Sequence, residues 1–368
     1  MTEEMRVLWA WGPLHVTPYS LMMTLGAVMS VFILLLTMQR KGHTRETAVH
    51  LSLVSILGAV LGGHLIYCLC MAPMLESDYG GISLVWEFFR GGYTLYGAVF
   101  GVLAAVCWSA RVRGERVLGL LDVLTPAASW MLMVGRLAER FTNQGIGMMV
   151  EQPWLQRLPF AVCTYMDEEW SEWHVPVFLW EALLGLLLFC LSVSMLKKAR
   201  KEGRTALVFL TVLSAVQVLL EQMRQDDCIR FGFVRFTQLA ALAVMMGCLA
   251  WECRGGELRS ILVRWARLGF CALIVVFVEF AFEKPQFNIW LFASMAAAWL
   301  AFIPGLDGTK PKLWQWFAEA VMLAGGIAVI ATLGHDYEFE GLMLYAVMAC
   351  ALFGMAQTIL CSRARENR

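Results

Sequence analysis

Runs of apolar residues long enough to cross a bilayer recur from one end of this 368-residue chain to the other. A helix needs about 20 such residues to cross the hydrocarbon layer, because it rises roughly 1.5 Å per residue. Runs of this kind fall near 18–38, 47–70, 93–110, 117–138, 176–196, 205–221, 232–251, 261–282, 287–303, 313–333 and 341–361. Inside lipid a backbone N–H or C=O finds no water, and a helix satisfies its own backbone. The expectation is an all-α polytopic membrane protein with about eleven transmembrane helices. Composition agrees, with 59% hydrophobic and 16% charged residues, where soluble domains carry roughly a quarter charged.

Other classes recede. The formal net charge is zero, so no global field points to nucleic acid. The N-terminus, MTEEMRVLWAWGPLH, lacks a basic leader with a short apolar core and a small-residue cleavage site, so no cleavable signal peptide is expected. The 11 cysteines include no CxxC pair or other zinc spacing, and neither metal nor cofactor is expected. Most, among them Cys107, Cys190, Cys248, Cys271 and Cys350, lie in apolar segments, where cysteine acts as a small hydrophobe. Cys163 and Cys228 fall in outer connections, either as two free thiols or as a disulfide.

Charge alternates along the connections. RKGHTR (40–45), RVRGER (111–116), KKARKEGR (197–204), the stretch with Arg254, Arg259, Arg264 and Arg267, TKPK (309–312) and SRARENR (362–368) are basic. The intervening ones, such as MDEEWSEWH (166–174) and HDYEFE (335–340), are acidic or mixed. Positive residues favour the cytoplasmic face. An odd number of spans, with the N-terminus outside and the C-terminus cytoplasmic, satisfies every basic connection at once.

This orientation puts MLMVGRLAERFTNQGIGMMV (131–150) at the outer end of the fourth span. One arginine there needs no function, since it can snorkel to the headgroups. But Arg90, Tyr93, Thr94 and Tyr96 approach or enter span three at that level, and Glu181 lies one turn into span five. Glu221, Arg224, Asp226 and Asp227 end span six, and Arg235 and Gln238 begin span seven. Intramembrane charges are costly, so their convergence reads as a site. Its mixed signs suit an anionic headgroup held by arginines, with carboxylates orienting them or handling protons.

Six segments carry a resemblance. DVLTPAASWMLMVGRLAERF (122–141), LGGHLIYCLC (61–70), GGYTLYGAVFG (91–101), PVFLWE (176–181), LLEQMRQDD (219–227) with Gln238 after it, and PYSLMM (18–23) are similar, in order and spacing, to segments of the prolipoprotein diacylglyceryl transferases. The resemblance covers residues 10–252. It implies a seven-span core over 1–256, with 142–175 as an outer arm, and about four extra spans in 257–368 that act as a packing or partner module. It also implies transfer of a diacylglyceryl group from phosphatidylglycerol to the lipobox cysteine of a prolipoprotein signal peptide, with glycerol phosphate leaving, in the bacterial plasma membrane.

Arg136 stands where the family has its essential arginine; Glu221 and Arg224 also match, as do Tyr19 and Tyr67. Elsewhere the chain departs. Tyr96 replaces a histidine, Ala98 a glycine, Glu139 an asparagine, Gln144 a glutamate, Gln217 an arginine and His64 an arginine. Tyrosine, with an ordinary pKa near 10, is no simple substitute for imidazole. The expected arrangement is therefore Arg136, Glu139 and Tyr96 as catalytic residues, with Glu139 as base. Tyr19, Arg140, Gln144, Glu221, Arg224 and Arg235 bind substrate, with Arg140 or Arg235 as the second cation. A plain Arg136–Glu139 helix pair is the alternative, since i,i+3 neighbours share a face.

Other residues have simpler readings. His64 packs beside Gly62 and Gly63; these glycines, with Gly97 and Gly101, allow close helix approach. Segment 142–175 is either an interfacial cover keeping irregular backbone hydrogen-bonded or an arm admitting substrate. A lipid-binding homologue without activity, and a transferase with another acceptor, are the competing functions. A transporter fits less well, because its site would lie near the midplane between repeated halves.

Cysteine substitutions on a background without native cysteines test the orientation. An impermeant thiol reagent on intact cells is expected to label Glu168→Cys and spare Lys198→Cys; the reverse pattern inverts the topology.

Overall fold

A computed structural model describes residues 7–11, 14–75, 85–86, 92–142, 144–151, 153–165, 171–198, 201–225, 230–231, 234–254, 258–283 and 337–360. Nine α-helices are found among the described residues: α1 (Pro18–Arg40), α2 (Arg45–Leu75), α3 (Leu95–Arg113), α4 (Val117–Ala138), α5 (Val177–Lys198), α6 (Arg204–Met223), α7 (Phe236–Glu252), α8 (Leu258–Glu283) and α9 (Tyr337–Leu360). Seven of these helices, α1 to α6 and α8, are long and apolar enough to cross a membrane, while α7 and the Val347–Leu360 part of α9 are shorter apolar helices. The expected spans 287–303 and 313–333 lie outside the described residues.

The chain divides into two compact units, residues 1–209 with 220–229, and residues 210–219 with 230–368. In the first, short turns link α1 to α2 and α3 to α4, so each of these pairs alternates in direction. Thr17 starts α1: its hydroxyl accepts from the Ser20 N–H at 3.2 Å, and the Ser20 hydroxyl accepts from the Thr17 N–H at 2.9 Å. That reciprocal cap, with Pro18 at the first helical position, satisfies donors that the helix leaves open. Gly114, at φ 66°, ends α3.

Small residues set how closely the helices approach. Gly58 and Gly62 on α2 face Gly101 and Gly97 on α3, and a Cβ at Gly101 would lie 1.9 Å from the Gly58 carbonyl oxygen. Of the glycines read as allowing close approach, Gly62, Gly97 and Gly101 do so, while a Cβ at Gly63 would make only ordinary contact at 3.4 Å; Gly58 completes two small-xxx-small pairs. On the next contacts a Cβ at Gly26 of α1 would meet Val134 at 2.7 Å, and one at Gly185 of α5 would meet the Met133 nitrogen at 2.7 Å. Helix α4 is thus gripped from both sides just below Arg136. Two hydroxyls tie α1 to the α4 backbone around Pro126, Ser30 to the Ala127 carbonyl at 3.2 Å and Thr37 to the Val123 carbonyl at 3.0 Å.

Helix α6 begins after Gly203, whose hydrogen side chain cannot cap it. A carboxylate from α4 does so instead: Asp122 accepts from the Gly203 N–H at 2.7 Å and the Ala206 N–H at 2.9 Å. An anion at a helix N-terminus meets both open donors and the positive end of the helix dipole.

The arm differs from an irregular cover. After a 3-10 turn at Glu139–Phe141 it forms an antiparallel sheet in the order β3 (Ile146–Met149), β5 (Ser171–Pro176), β4 (Val162–Tyr165). Val162, Thr164 and Tyr165 on β4, and Trp173 and Val175 on β5, are residue types that suit a pleated surface. Residues 9–16 form a two-stranded ribbon, β1 (Trp9–Trp11) and β2 (Leu14–Val16). In the second unit, the pair β6 (Arg230–Phe231) and β7 (Val234–Arg235) delays α7 to Phe236, later than the apolar pattern placed it. Helices α7, α8 and α9 pack on one another there.

Gly101→Val forces two backbones apart, and overpacking of this kind costs about 1–3 kcal/mol. A clear drop in thermal midpoint is expected in detergent, while Gly247→Ala, with open space around its Cβ position, leaves it unchanged.

Candidate active site

The alternation of helices in the first unit brings the C-terminal ends of α4 and α6 to the N-terminal ends of α1, α3 and α5. Four charged side chains meet there. Arg136 Nε lies 3.2 Å from Glu181 Oε2, and the same oxygen lies 2.9 Å from Arg224 Nη1. Arg224 Nη2 is 3.3 Å from Glu139 Oε2, and Glu139 Oε1 pairs with Arg136 Nη1. The result is a closed ring in which arginine and glutamate alternate.

Local structure places each member. Arg136 lies in the last turn of α4, just past the two glycine contacts, and Glu139 follows on the 3-10 turn, so the i,i+3 pair is built into one helix end. Glu181 lies in the second turn of α5, whose start is anchored by the Phe178 N–H donating to the Gly145 carbonyl at 2.8 Å. Gly145 has φ 70°, and a Cβ there would come 2.6 Å from Phe178 and 2.7 Å from Glu139 Oε2. Only glycine meets both demands. Arg224 caps α6 in extended conformation and bridges Gly147 of β3, and the Gln225 N–H donates to the Ile146 carbonyl at 2.9 Å. The arm therefore fixes the backbone of two ring members.

Three more residues belong to this end. Tyr19, in the first turn of α1, lies within electrostatic reach of Glu139 and Arg136. Glu221, buried on the last turn of α6, lies within reach of Arg136. Tyr96 is fully buried in the first turn of α3. His64, opposite on α2, is equally buried; its Nδ1 is 3.2 Å from the Gly92 carbonyl and its Nε2 3.6 Å from Cys68 Sγ. A donated Nδ1–H directs the Nε2 lone pair to the thiol, a packing role in keeping with the adjacent glycines.

Other predicted site residues lie differently. Arg140 and Gln144 are exposed, and the second guanidinium of the ring is Arg224. Arg235 belongs to the second unit, where it is buried at the start of α7. Its backbone N–H donates to Gln238 Oε1 at 3.1 Å, and Gln238 Nε2 donates to Glu279 Oε1 of α8 at 2.5 Å. Tyr345 of α9 lies within electrostatic reach of Glu279 and Arg235. Gln217 is also buried in that unit. Cys163 is a free thiol, and Arg90, Asp226, Asp227 and Cys228 lie outside the described residues.

Glu181 was singled out in sequence only as a polar residue of span five, yet it touches both arginines and is 1% exposed. The available signal was a carboxylate early in the apolar run PVFLWEALLGLLLF. Such a group persists in lipid only where partners meet it.

Apolar helices of spanning length, with a guanidinium–carboxylate site gathered at one end, define a multi-pass membrane protein with a site for charged groups at its helix ends. The family model described as prolipoprotein diacylglyceryl transferase matches residues 6–252, well over half of the chain, and the chain belongs to that family. A phosphatidylglycerol–prolipoprotein diacylglyceryl transferase of Vibrio vulnificus strain YJ016 is 28% identical, over 68% of this chain and 92% of its own length. Enzymes of the same name from Geobacillus kaustophilus and Methylibium petroleiphilum are 25% and 29% identical, over 67% and 66% of this chain and 90% and 88% of theirs. These relatives are named as transferases, and the family to which the chain belongs is one of membrane transferases.

Removing the charge of Glu181 leaves two buried guanidiniums short of an anion. Breaking a buried ion pair costs about 3–5 kcal/mol. Glu181→Gln is expected to lower the thermal midpoint well beyond Arg140→Ala, which alters an exposed side chain.

Proposed function

We propose that this protein transfers a diacylglyceryl group from phosphatidylglycerol, or a similar anionic phospholipid, to the lipobox cysteine of prolipoproteins. The observation that carries the reading is the buried pair Arg136 and Arg224, held 2.9–3.3 Å from carboxylates at one end of a family core. Two guanidiniums side by side match a phosphodiester, and their bonds to its oxygens strengthen as charge develops on the leaving phosphate.

The sulfur of the acceptor cysteine attacks the glyceryl carbon that bears the phosphate. A C–S bond forms, the C–O bond breaks, and glycerol phosphate leaves with the bonding pair. The thiol proton goes to Glu139. Thiolate is the attacking form, and free cysteine has a pKa near 8.5, so a nearby carboxylate base and a cationic field both help. Tyr96 donates a hydrogen bond to the leaving phosphate. Tyr19, Arg140, Gln144 and Glu221 contribute to holding lipid or signal peptide.

In this reading the chain lies in the bacterial plasma membrane with about eleven spans, N-terminus outside and C-terminus cytoplasmic. Residues 1–256 are the transferase core, with 142–175 as its arm, and 257–368 are a packing or partner module. A second reading, a lipid-binding relative without transfer activity, is favoured by Tyr96 and Gln217, which stand where the family carries histidine and arginine.

Charge-assisted bonds contribute about 1.5–3 kcal/mol each. Arg136→Ala is expected to weaken phosphatidylglycerol binding at least tenfold, while Arg157→Ala, exposed in the arm, leaves it unchanged; equal binding by wild type and Arg136→Ala removes the headgroup role. Wild-type protein is expected to restore lipoprotein modification to cells lacking their own transferase, and Glu139→Gln and Tyr96→Phe to slow it. Normal turnover by both variants beside a dead Arg136→Ala removes their chemical roles, and a wild type that modifies nothing leaves the lipid-binding reading.

A further inference from the structure

The ring Arg136–Glu181–Arg224–Glu139 closes on itself. Its two guanidiniums meet two carboxylates, and Glu221 adds a third within electrostatic reach of Arg136. Among the described residues of the ring no positive charge is left over to draw in an anion, and burying a further negative charge beside balanced ones is costly. A lipid phosphodiester therefore enters only if a carboxylate gives up its place.

The geometry points to which carboxylate that is. Glu181 is 1% exposed, uses one oxygen for both arginines, and sits near the N-terminus of α5, where the helix dipole favours an anion. Glu139 differs on each count. Its side chain is 12% exposed, and each of its oxygens contacts one arginine through a terminal guanidinium nitrogen. It stands on a 3-10 turn at the C-terminal end of α4, where the dipole disfavours negative charge. It spans Arg136 and Arg224 as a phosphodiester would, with two oxygens sharing one negative charge.

We propose that Glu139 is a resident occupant of the headgroup site: its carboxylate takes the phosphodiester's place between Arg136 and Arg224, and an anionic lipid binds by displacing it. This rests on the lipid-binding part of the function proposed above. The exchange is one negative charge for another, so the buried guanidiniums stay neutralised throughout. Glu139 thus sets the affinity for anionic lipid.

The test uses the purified full chain in phosphatidylcholine nanodiscs, titrated with short-chain phosphatidylglycerol, with glycerol phosphate and with short-chain phosphatidylcholine. Glu139→Asn is expected to bind phosphatidylglycerol at least tenfold more tightly than wild type, about 1.4 kcal/mol. Glu139→Gln should do the same and Glu181→Gln should bind more weakly, with phosphatidylcholine unchanged in all three. Equal or weaker binding by the two Glu139 variants overturns the proposal. Tightening by Glu181→Gln as well reduces the effect to net charge and overturns it too. Tightening for glycerol phosphate but not for the lipid means a free-phosphate site instead. Wild type that binds lipid in this way yet modifies no lipoprotein would remove the transfer reading and leave the occupant standing.

Discussion

Guanidinium groups in a bilayer must be neutralised by something nearby, and the rest of the first unit answers to that demand. Arginine keeps its charge at any ordinary pH, so Arg136 and Arg224 cannot escape burial by losing a proton. Neutrality has to come from carboxylates on other segments. Glu181 comes from α5 and Glu139 from the turn after α4. A single displaced helix end would strand a charge, so ring and helix packing constrain each other.

The glycine contacts are the mechanical side of this constraint. Lipid supplies no hydrophobic drive between helices, so close backbone approach and dispersion do the holding. Gly26 and Gly185 let α1 and α5 close on Val134 and Met133, within one turn of Arg136. Their effect is to fix the height and rotation of α4 where an ion pair tolerates little error. The arm adds a second constraint through Gly145 and Gly147, whose backbones meet Phe178 and Arg224. A loop that only shielded the helices would not need hydrogen bonds to the segments carrying two charged residues.

Much of this was legible in sequence, for identifiable reasons. Apolar runs announce spanning helices because lipid leaves the backbone one alternative. The glycines at 62, 63, 97 and 101 announced a close pair for a similar reason, although Gly63 turns out to make only ordinary contact. Arg136 and Glu139 were legible as an i,i+3 pair because helix geometry alone makes them neighbours. Glu181 as the hub, and Arg224 rather than Arg140 as the second cation of the ring, were not legible. Both depend on how far α5 and α6 slide along α4, a quantity that hydropathy does not encode. The sheet in the arm was hidden too, because its strands are four to six residues long and flanked by loop-like residues.

The second unit resolves a buried charge by another route. Glu279 and Arg235 are both buried, and Gln238 stands as intermediary: its oxygen takes the Arg235 backbone N–H and its amide nitrogen meets Glu279. The amide is thereby oriented by the backbone, and its donor has one direction to face. Glu279 lies on α8 and Tyr345 on α9, beyond the residues that match the family. The helices that follow the matched core thus direct a carboxylate and a phenol toward the start of α7, the last helix of that core. An intramembrane carboxylate is tolerated only with such partners. Glu279 therefore ties α8 to α7 by a specific polar contact as well as by apolar packing, so α8 reads as part of the folded unit rather than as a loosely attached extension.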